Sequence, residues 1–249
     1  MQHKIIDGVT PTASSTQQGS LRNAELDALV IWYSQDDNAN GMTLAESDLV
    51  TFNMTLKQTV DGERYETMIL EALRFEDIIK YTNGRGGIGQ IPGTNCPTEC
   101  FGYLPLGNID LNGNDELILT VNFGAVGTLT NATFYVYGVK TNKYDQDIIK
   151  YTSYTTSGTI SFSDVKEVFS AGASGAGAAG NYIYITDDSG QNAELDYISW
   201  AIEMSTGKYE EDESTTTWFN CWVDDSGEGQ DLNIMVKAAS TELFVVSYA

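Results

Sequence analysis

The residues of this 249-residue chain that could do chemistry are mainly carboxylates and amides grouped in polar turns. The segment DLNGNDE places oxygen-bearing side chains at alternating positions: Asp110, Asn112, Asn114 and Glu116. Calcium loops arrange their oxygen ligands in a similar way, although the EF-hand register fails because its twelfth position is Val121. These four residues are candidate calcium ligands, and ordinary turn chemistry is the alternative that the Asn-Gly pair favours.

A second acidic segment, DDSGEGQD, lies near the end of the chain. Its carboxylates are Asp224, Asp225, Glu228 and Asp231. The pattern is typical of an exposed acidic hairpin loop, and either acidic segment could hold ions where two subunits meet. Calcium is the one ligand that the sequence suggests, and no cofactor is required.

The chain offers little of the equipment that catalysis needs. His3 is the single histidine, and it stands in a polar N-terminal segment where no catalytic triad is expected. The segment GRGGIGQ (84–90) has the glycines of a phosphate-binding loop but lacks the Lys-Ser/Thr pair. Carboxylates are too numerous for the sequence to single out the pair that a glycosidase would use. We therefore predict that the protein is not an enzyme.

The three cysteines do not form a metal-binding pattern. Cys96 and Cys100 stand four residues apart across a proline, so a small loop disulfide and two ordinary thiols both fit the spacing. Cys221 stands in an aromatic segment and is typical of a small buried side chain.

The charge balance excludes several classes of partner. Thirty-five acidic residues against thirteen basic ones give a formal charge of −22 and a pI near 4.1. No basic stripe is present to contact nucleic acid or anionic lipid. An acidic surface of this kind suits a protein that works in high salt, because ions screen the self-repulsion, or one that binds divalent cations. A surface that is acidic only for solubility is the alternative. The first twenty residues have no apolar core of the kind that signal peptides carry.

The positions of these residues depend on short strands that alternate apolar and polar side chains. In DLVTFNMTLKQ the apolar residues on one face are Val50, Phe52, Met54 and Leu56. In ELILTVNF they are Leu117, Leu119, Val121 and Phe123, with Ile118 on the other face. The segment RFEDIIKYT (74–82) has helical spacing and precedes the stop signal Asn83-Gly84.

The same pattern divides the chain into two β-rich halves. A charged connector, Lys140 to Lys150, separates them, so we predict one domain over residues 21–142 and a second over 143–249. Residues 1–20 are rich in Thr, Ser and Gln and predict a flexible N-terminal arm. The fold class is mainly β, with two β-sandwich or jelly-roll domains.

The order of elements in residues 45–142 resembles the first jelly roll of the double jelly-roll major capsid proteins of tailless, membrane-containing icosahedral viruses. The motifs are the alternating strand, the turn Asp61-Gly62, the short helix, the strand end LPLG (104–107) and the aromatic strand ATFYVYGVKTN (132–142). The corticovirus type is the one most similar in pattern. The capsid proteins of haloarchaeal icosahedral viruses are the alternative, because the second half is short and could be a smaller β domain.

The resemblance implies a capsid protein of the virion shell, assembled in the host cytoplasm as a homotrimeric, pseudo-hexameric capsomer. The implied partners are other copies of the chain and the other capsid and membrane-associated virion proteins, with no direct contact to nucleic acid. The arm over residues 1–20 would then reach a neighbouring subunit or those membrane-associated proteins, and its deletion should impair assembly without unfolding the chain.

A carbohydrate-binding or adhesive β-sandwich on a virion or cell surface is the alternative function. Its signature would be an exposed planar row of aromatic rings on one sheet. The aromatic candidates for such a row are Trp200, Trp218, Trp222 and Tyr248, for which burial in a core or a subunit interface is the competing interpretation.

Overall fold

The computed structural model describes residues 1–35, 49–84, 99–126, 132–141, 147–156, 158–171, 183–187, 192–195, 218–224, 226–236 and 241–249. These residues form two compact units. Unit 1 comprises Met1–Lys150 together with Ala249, and unit 2 comprises Tyr151–Tyr248. The boundary between the units lies at the end of the charged connector identified in the sequence. No helix in the described part of the chain has the length and apolar character that a membrane span requires.

Unit 1 is an eight-stranded jelly roll made of two four-stranded antiparallel sheets. The strands of the first sheet, in their order across it, are β1 (Gln2–Val9), β8 (Ala132–Val139), β3 (Ala24–Gln35) and β6 (Glu99–Leu111). Those of the second are β2 (Ser15–Leu21), β7 (Glu116–Phe123), β4 (Val50–Val60) and β5 (Glu63–Arg74). This order requires the chain to cross repeatedly between the sheets, as a jelly roll does.

The core of unit 1 lies between the inner faces of the two sheets. The alternating residues predicted for β4 and β7 are buried there, while Ile118 faces outward, so both face assignments are confirmed. Phe134 of β8 lies at the centre, with its ring 5.1 Å from those of Tyr33 and Phe75 and 5.6 Å from that of Phe123. These contacts join the first sheet, the second sheet and the helix into one aromatic core.

The predicted helix is present as α1 (Phe75–Gly84), between β5 and β6. The Asp77 carboxylate in its first turn is fully buried and accepts two hydrogen bonds from the Arg74 guanidinium, at 2.8 and 2.6 Å. An acidic group in the first turn also suits the positive end of the helix dipole. The close approach of the helix to β6 depends on Gly102, because a Cβ there would lie 2.5 Å from Cγ2 of Ile78.

The prediction of a flexible arm over residues 1–20 is wrong. β1 pairs with β8 and β2 pairs with β7, so this segment supplies the first two strands of the jelly roll. The two strands lie close to each other at Gly19, where a Cβ would lie 2.1 Å from the Ile5 carbonyl oxygen. The jelly roll therefore begins at Gln2, well before the predicted start at residue 21.

Unit 2 has seven strands in the described residues. They are β9 (Ile149–Thr156), which contains the boundary between the units, β10 (Thr159–Ala171), β11 (Ile183–Thr186), β12 (Asn192–Leu195), β13 (Trp218–Val223), β14 (Gln230–Val236) and β15 (Thr241–Tyr248). Their buried apolar side chains form a second core, mainly of Val, Ile and Leu.

The long strand β10 takes the place of two strands. Its first part pairs with β14 from Thr159 to Val165, and its second part pairs with β15 and β13 up to Ala171. Between them Asp164 has a φ of +55°, and the register shifts on both sides of it. Such a bend lets one strand pass from one sheet of a sandwich to the other. We refer to the two parts as β10a (159–164) and β10b (165–171).

With β10 divided in this way, unit 2 repeats the pairing order of unit 1. The orders β9-β15-β10b-β13 and β10a-β14-β11-β12 match β1-β8-β3-β6 and β2-β7-β4-β5 strand for strand. The second half is therefore a complete jelly roll in its strand pairing, and of the two arrangements that the sequence left open the chain has the double jelly roll.

Candidate functional site

The four candidate calcium ligands lie around the turn between β6 and β7. Asp110 is exposed near the end of β6, Asn112 and Asn114 lie in the turn, and Glu116 begins β7. The Glu116 carboxylate forms an ion pair with Arg22 at 2.9 Å, and this hydrogen bond lowers the pKa of Glu116. One of the four candidate ligands is thus already bonded to a cation, and calcium binding at this turn stays a prediction.

Asp115, which is not among the four candidate ligands, fixes the conformation of this turn. Asp115 donates its backbone N–H to the Asn112 carbonyl oxygen at 3.0 Å. Its carboxylate accepts a hydrogen bond from the Thr59 backbone N–H at 2.8 Å. The Asn-Gly turn is thereby attached to the end of β4, as ordinary turn chemistry predicts.

Asp110 and Asn112 also line a pocket of about 390 Å³ with His3 and Glu25. Asp110 and Glu25 are direct partners in the β3–β6 pairing. The His3 Nε2 atom is buried, with no hydrogen-bond partner in the described residues. Across that part of the chain, no group of three or more His, Cys, Asp or Glu side chains is arranged to hold a metal ion.

The second acidic segment forms the loop between β13 and β14. Its residues do not converge on one point: Glu228 is exposed, Asp231 accepts a hydrogen bond from the Asp164 backbone N–H at 3.3 Å, and Asp225 lies outside the described residues. β13 and β14 both pair antiparallel with the same edge of β10, one after the other along it. The loop therefore connects two strands that lie in line and does not turn back as a hairpin does. The expectation of a simple hairpin loop is wrong here.

Asp224 is the buried centre of this loop. Its carboxylate accepts hydrogen bonds from the Ser226 backbone N–H at 2.9 Å and hydroxyl at 2.7 Å, the Gly229 N–H at 2.9 Å and the Gln230 side chain at 3.1 Å. Burial raises the pKa of the Asp224 carboxyl, but these hydrogen bonds outweigh that effect and lower it to about 2. The charge is thus satisfied within the loop, which makes Asp224 a structural residue.

The cysteines give no sign of nucleophilic chemistry in the described residues. Cys100 is buried in β6, and Cys96 lies outside the described residues. Cys221 was predicted to be a small buried side chain; it is partly buried and packs against the core of unit 2, and desolvation raises the pKa of its thiol to about 12. A thiol with such a pKa stays protonated and is a poor nucleophile near neutral pH.

A row of four stacked aromatic rings lies on the outward side of the first sheet of unit 1: Phe101, Trp32, Tyr135 and Tyr137. We call it the aromatic outer face. Trp32 pairs directly with Phe101 on one side and Tyr135 on the other. The ring centroids are 6.0, 4.9 and 6.4 Å apart along the row, and neighbouring planes differ by 9°, 25° and 10°. All four side chains are half-buried.

The ring spacing shows how the aromatic outer face is built. Near-parallel rings with centroids 4.9 to 6.4 Å apart are offset-stacked. Both faces of the Trp32 indole therefore lie against neighbouring rings. The row differs from the flat platform on which a sugar ring stacks, because the Trp32 ring has no free face.

Of the aromatic residues that the sequence singled out, Trp222 and Tyr248 have described side chains, and neither belongs to this row. Trp222 packs against the core of unit 2, and Tyr248 donates its hydroxyl hydrogen to the Gly227 carbonyl oxygen at 3.2 Å. Trp200 and the Trp218 side chain lie outside the described part of the structure. Part of the signal for this row was present in Tyr135 and Tyr137, which alternate in FYVY, but only strand pairing shows that Trp32 and Phe101 adjoin them.

Known proteins resemble this chain in structure and not detectably in sequence. No protein-family model matches the chain, and neither does any curated protein sequence. The crystal structure of the STIV major capsid protein aligns with a TM-score of 0.58 at 12% identity, over 99% of this chain and 95% of that chain. The atomic structure of Sulfolobus Turreted Icosahedral Virus gives a TM-score of 0.56 at 12% identity, over 100% and 89% of the two chains. The major capsid protein P2 from Bacteriophage PM2 gives 0.53 at 12% identity, over 100% and 98%.

The chain has the double jelly-roll fold of viral major capsid proteins. The alignments extend over both units, so the shared fold includes the second jelly roll as well as the first. The resemblance that residues 45–142 suggested is therefore confirmed, and it extends beyond the segment in which it was recognised.

Proposed function

We propose that this protein is the major capsid protein of an icosahedral virus and assembles as a homotrimeric capsomer. The observation that supports this most directly is the repetition of one eight-strand pairing order in both halves of a chain whose fold matches solved viral major capsid proteins end to end. Two jelly rolls in each of three chains would give a capsomer with six similar lobes, which suits hexagonal tiling.

One strand edge of unit 1, that of β6, is protected against uncontrolled association. At the β6 edge, the Thr82 hydroxyl of α1 accepts the Tyr103 backbone N–H at 2.8 Å and donates to the Ile78 carbonyl oxygen at 2.7 Å. Covering an edge with a helix prevents another strand from adding to the sheet. Self-association on the β6 side of this jelly roll would then use the face of the sheet instead of its strand edge.

The remaining parts of the proposal follow from the same function. The protein would reside in the capsid shell of the virion after assembly in the host cytoplasm, with other capsid and membrane-associated virion proteins as partners. With a net charge of −22, copies of the chain repel one another, so salt or calcium between acidic loops would favour assembly. Direct contact with nucleic acid is not part of the proposal, since phosphate binding needs basic surfaces.

A carbohydrate-binding function gains no support from the aromatic outer face. Sugar recognition by stacking uses an exposed ring face, and in this row the two faces of Trp32 contact Phe101 and Tyr135. The half-buried rings are better suited to packing against protein, where aromatic side chains are enriched.

The test is the assembly state of the purified protein in molar salt with millimolar calcium. Light scattering coupled to size exclusion should give three times the chain mass of 27.2 kDa. Negative-stain electron microscopy should show particles with a hexagonal outline, or sheets and shells of them. A monomer under every ionic condition would overturn the capsid proposal and direct the work to glycan screening.

A further inference from the structure

We propose that the aromatic outer face, formed by Phe101, Trp32, Tyr135 and Tyr137, is the surface through which one copy of this chain packs against a second copy. The inference rests on the proposed capsid function and specifies which side of the first jelly roll forms the contact. Four observations support it, concerning the charge of the face, its order, its counterpart in unit 2 and the protected sheet edge.

The first observation is electrostatic. The four rings carry no charge, whereas the chain as a whole carries −22. The ammonium group of Lys4, opposite Tyr137 in the β1–β8 pairing, is already bonded to the Asp7 carboxylate at 2.8 Å. The electrostatic free-energy cost of contact between two acidic proteins is lowest where charges are absent or already paired. The aromatic outer face meets that condition on unit 1.

The second observation is the order of the row. Each ring is held in place by its neighbours, with centroid distances of 4.9 to 6.4 Å. Side chains that are already ordered lose little conformational freedom when a partner covers them. Trp and Tyr are also the residues that contribute most to protein interfaces. A preformed aromatic ladder is therefore suited to rigid packing against a second copy.

The third observation comes from the internal repeat. In unit 2 the strands that correspond to β1, β8 and β3 are β9, β15 and β10b. They carry an aromatic cluster of Tyr151, Phe244 and Phe169, in which the Phe244 ring is 5.8 Å from that of Tyr151 and 6.2 Å from that of Phe169. Phe169 and Phe244 pair with each other at positions next to Val168 and Val245, which face the unit 2 core, so the cluster lies on the opposite side of the sheet.

The two aromatic clusters differ in exposure. In unit 2 the exposed fractions are 1% for Tyr151, 0% for Phe244 and 4% for Phe169, whereas all four rings of unit 1 are partly exposed. The aromatic residues on the corresponding strands are thus buried in unit 2 and partly exposed in unit 1. We infer that the open one is buried when a second copy packs on it.

The fourth observation concerns the mode of contact. The Thr82 side chain occupies the backbone groups at the free edge of β6, so a second copy cannot extend this sheet at Tyr103 by strand addition. At this edge a second copy is therefore left with the outer face of the sheet, where the aromatic row lies.

The test compares two variants that each gain one negative charge on an outward side of unit 1. Tyr137→Glu places it at the end of the aromatic outer face, where the ring has one stacking neighbour and its removal disturbs the row least. Gln18→Glu places it at an exposed position of β2 in the other sheet. We expect Tyr137→Glu to lose the trimer seen by light scattering while keeping the circular dichroism of the wild type. Gln18→Glu and Tyr137→Phe should assemble as the wild type does.

A measurement on the wild type keeps the inference testable if Tyr137→Glu fails to fold. Hydroxyl-radical footprinting should label the four rings in protein dissociated by dilution and lose that labelling in the trimer. A trimer formed normally by Tyr137→Glu, or rings labelled equally in both states, would overturn the proposed face and leave the capsid function standing. A wild-type protein that never assembles would overturn both.

Discussion

At the scale of single residues, the acidic side chains of this protein have different roles, some structural and some on the surface, which their number alone does not reveal. Asp224 stands in a run of carboxylates, yet it is 8% exposed and accepts four hydrogen bonds that close a loop. Asp77 is fully buried and accepts hydrogen bonds from Arg74, whereas Glu228 remains on the surface. The sequence shows how many carboxylates there are, while the donors within reach of each one decide its role.

The Asp224 carboxylate should stabilise the fold in a pH-dependent way. One pKa unit corresponds to about 1.4 kcal/mol, so a fall from the ordinary 3.8 to about 2 makes ionised Asp224 worth up to about 2 kcal/mol of folding free energy, and less where solvent screens the charge. Because the folded-state pKa is the lower one, this contribution is complete above pH 4 or so and disappears as pH falls through about 2.

We therefore expect Asp224→Asn to lower the free energy of unfolding by up to about 2 kcal/mol at pH 7 and by progressively less below pH 4. Urea unfolding across this range measures the difference. The control is Glu228→Gln, which removes one charge from an exposed position of the same loop. Equal unfolding free energies for Asp224→Asn and the wild type at neutral pH would show that the loop does not depend on the carboxylate.

At the scale of elements, polar segments contribute more to the fold than their composition indicates. β2 has the sequence STQQGSL and buries little, yet it pairs with β7 at seven consecutive positions. Backbone hydrogen bonds to an apolar partner strand can hold such a segment in a sheet. α1 likewise acts through its Thr82 hydroxyl as well as its apolar side, because it covers the edge of β6.

Deleting residues 1–21 should unfold unit 1 instead of leaving a folded monomer, because it removes β1 and β2 from the two sheets. Near-ultraviolet circular dichroism should show loss of the tertiary signal, since the aromatic core depends on both sheets. A matched truncation that removes only Met1, which precedes β1, should keep that signal. A cooperative native-like unfolding transition in the longer truncation would contradict the structural role assigned to these strands.

Thr82→Val should destabilise the protein by about 1 kcal/mol, because it removes the acceptor of the partly buried Tyr103 N–H while keeping the side-chain volume. Thr82→Ser keeps the hydroxyl and should cost less. Amide hydrogen exchange at Tyr103 reports directly on the bond and should become faster in the Val variant only. Unchanged exchange there would mean that the helix does not protect this edge.

At the scale of the whole molecule, charge and fold act in opposite directions on assembly. The double jelly roll offers sheet faces for association, while the net charge of −22 opposes the approach of a second copy. Screening by salt decides the balance, since the Debye length falls from about 10 Å at 0.1 M to about 3 Å at 1 M. The saline environment that the composition predicts would supply this screening.

Self-association should therefore strengthen when sodium chloride is raised from about 0.1 M to about 1 M. Sedimentation velocity over a range of protein concentrations measures the shift toward the trimer. Sucrose at matched osmolality provides the control, because it leaves the electrostatic repulsion unscreened. Association that weakens with salt would show instead that attractive ion pairs dominate the contact.

The sequence by itself determined the local features of this protein. The alternating faces of β4 and β7, the helix α1, the acidic balance and the division into two β-rich halves all depend on neighbouring residues, whose periodicity the sequence displays directly. The tertiary structure decided what depends on residues far apart in the chain. β2 became a strand through β7, about a hundred residues away, and the bend at Asp164 let one strand serve two sheets. The aromatic outer face arose because β3, β6 and β8 lie side by side, and strand pairing over such separations leaves no local periodic signal.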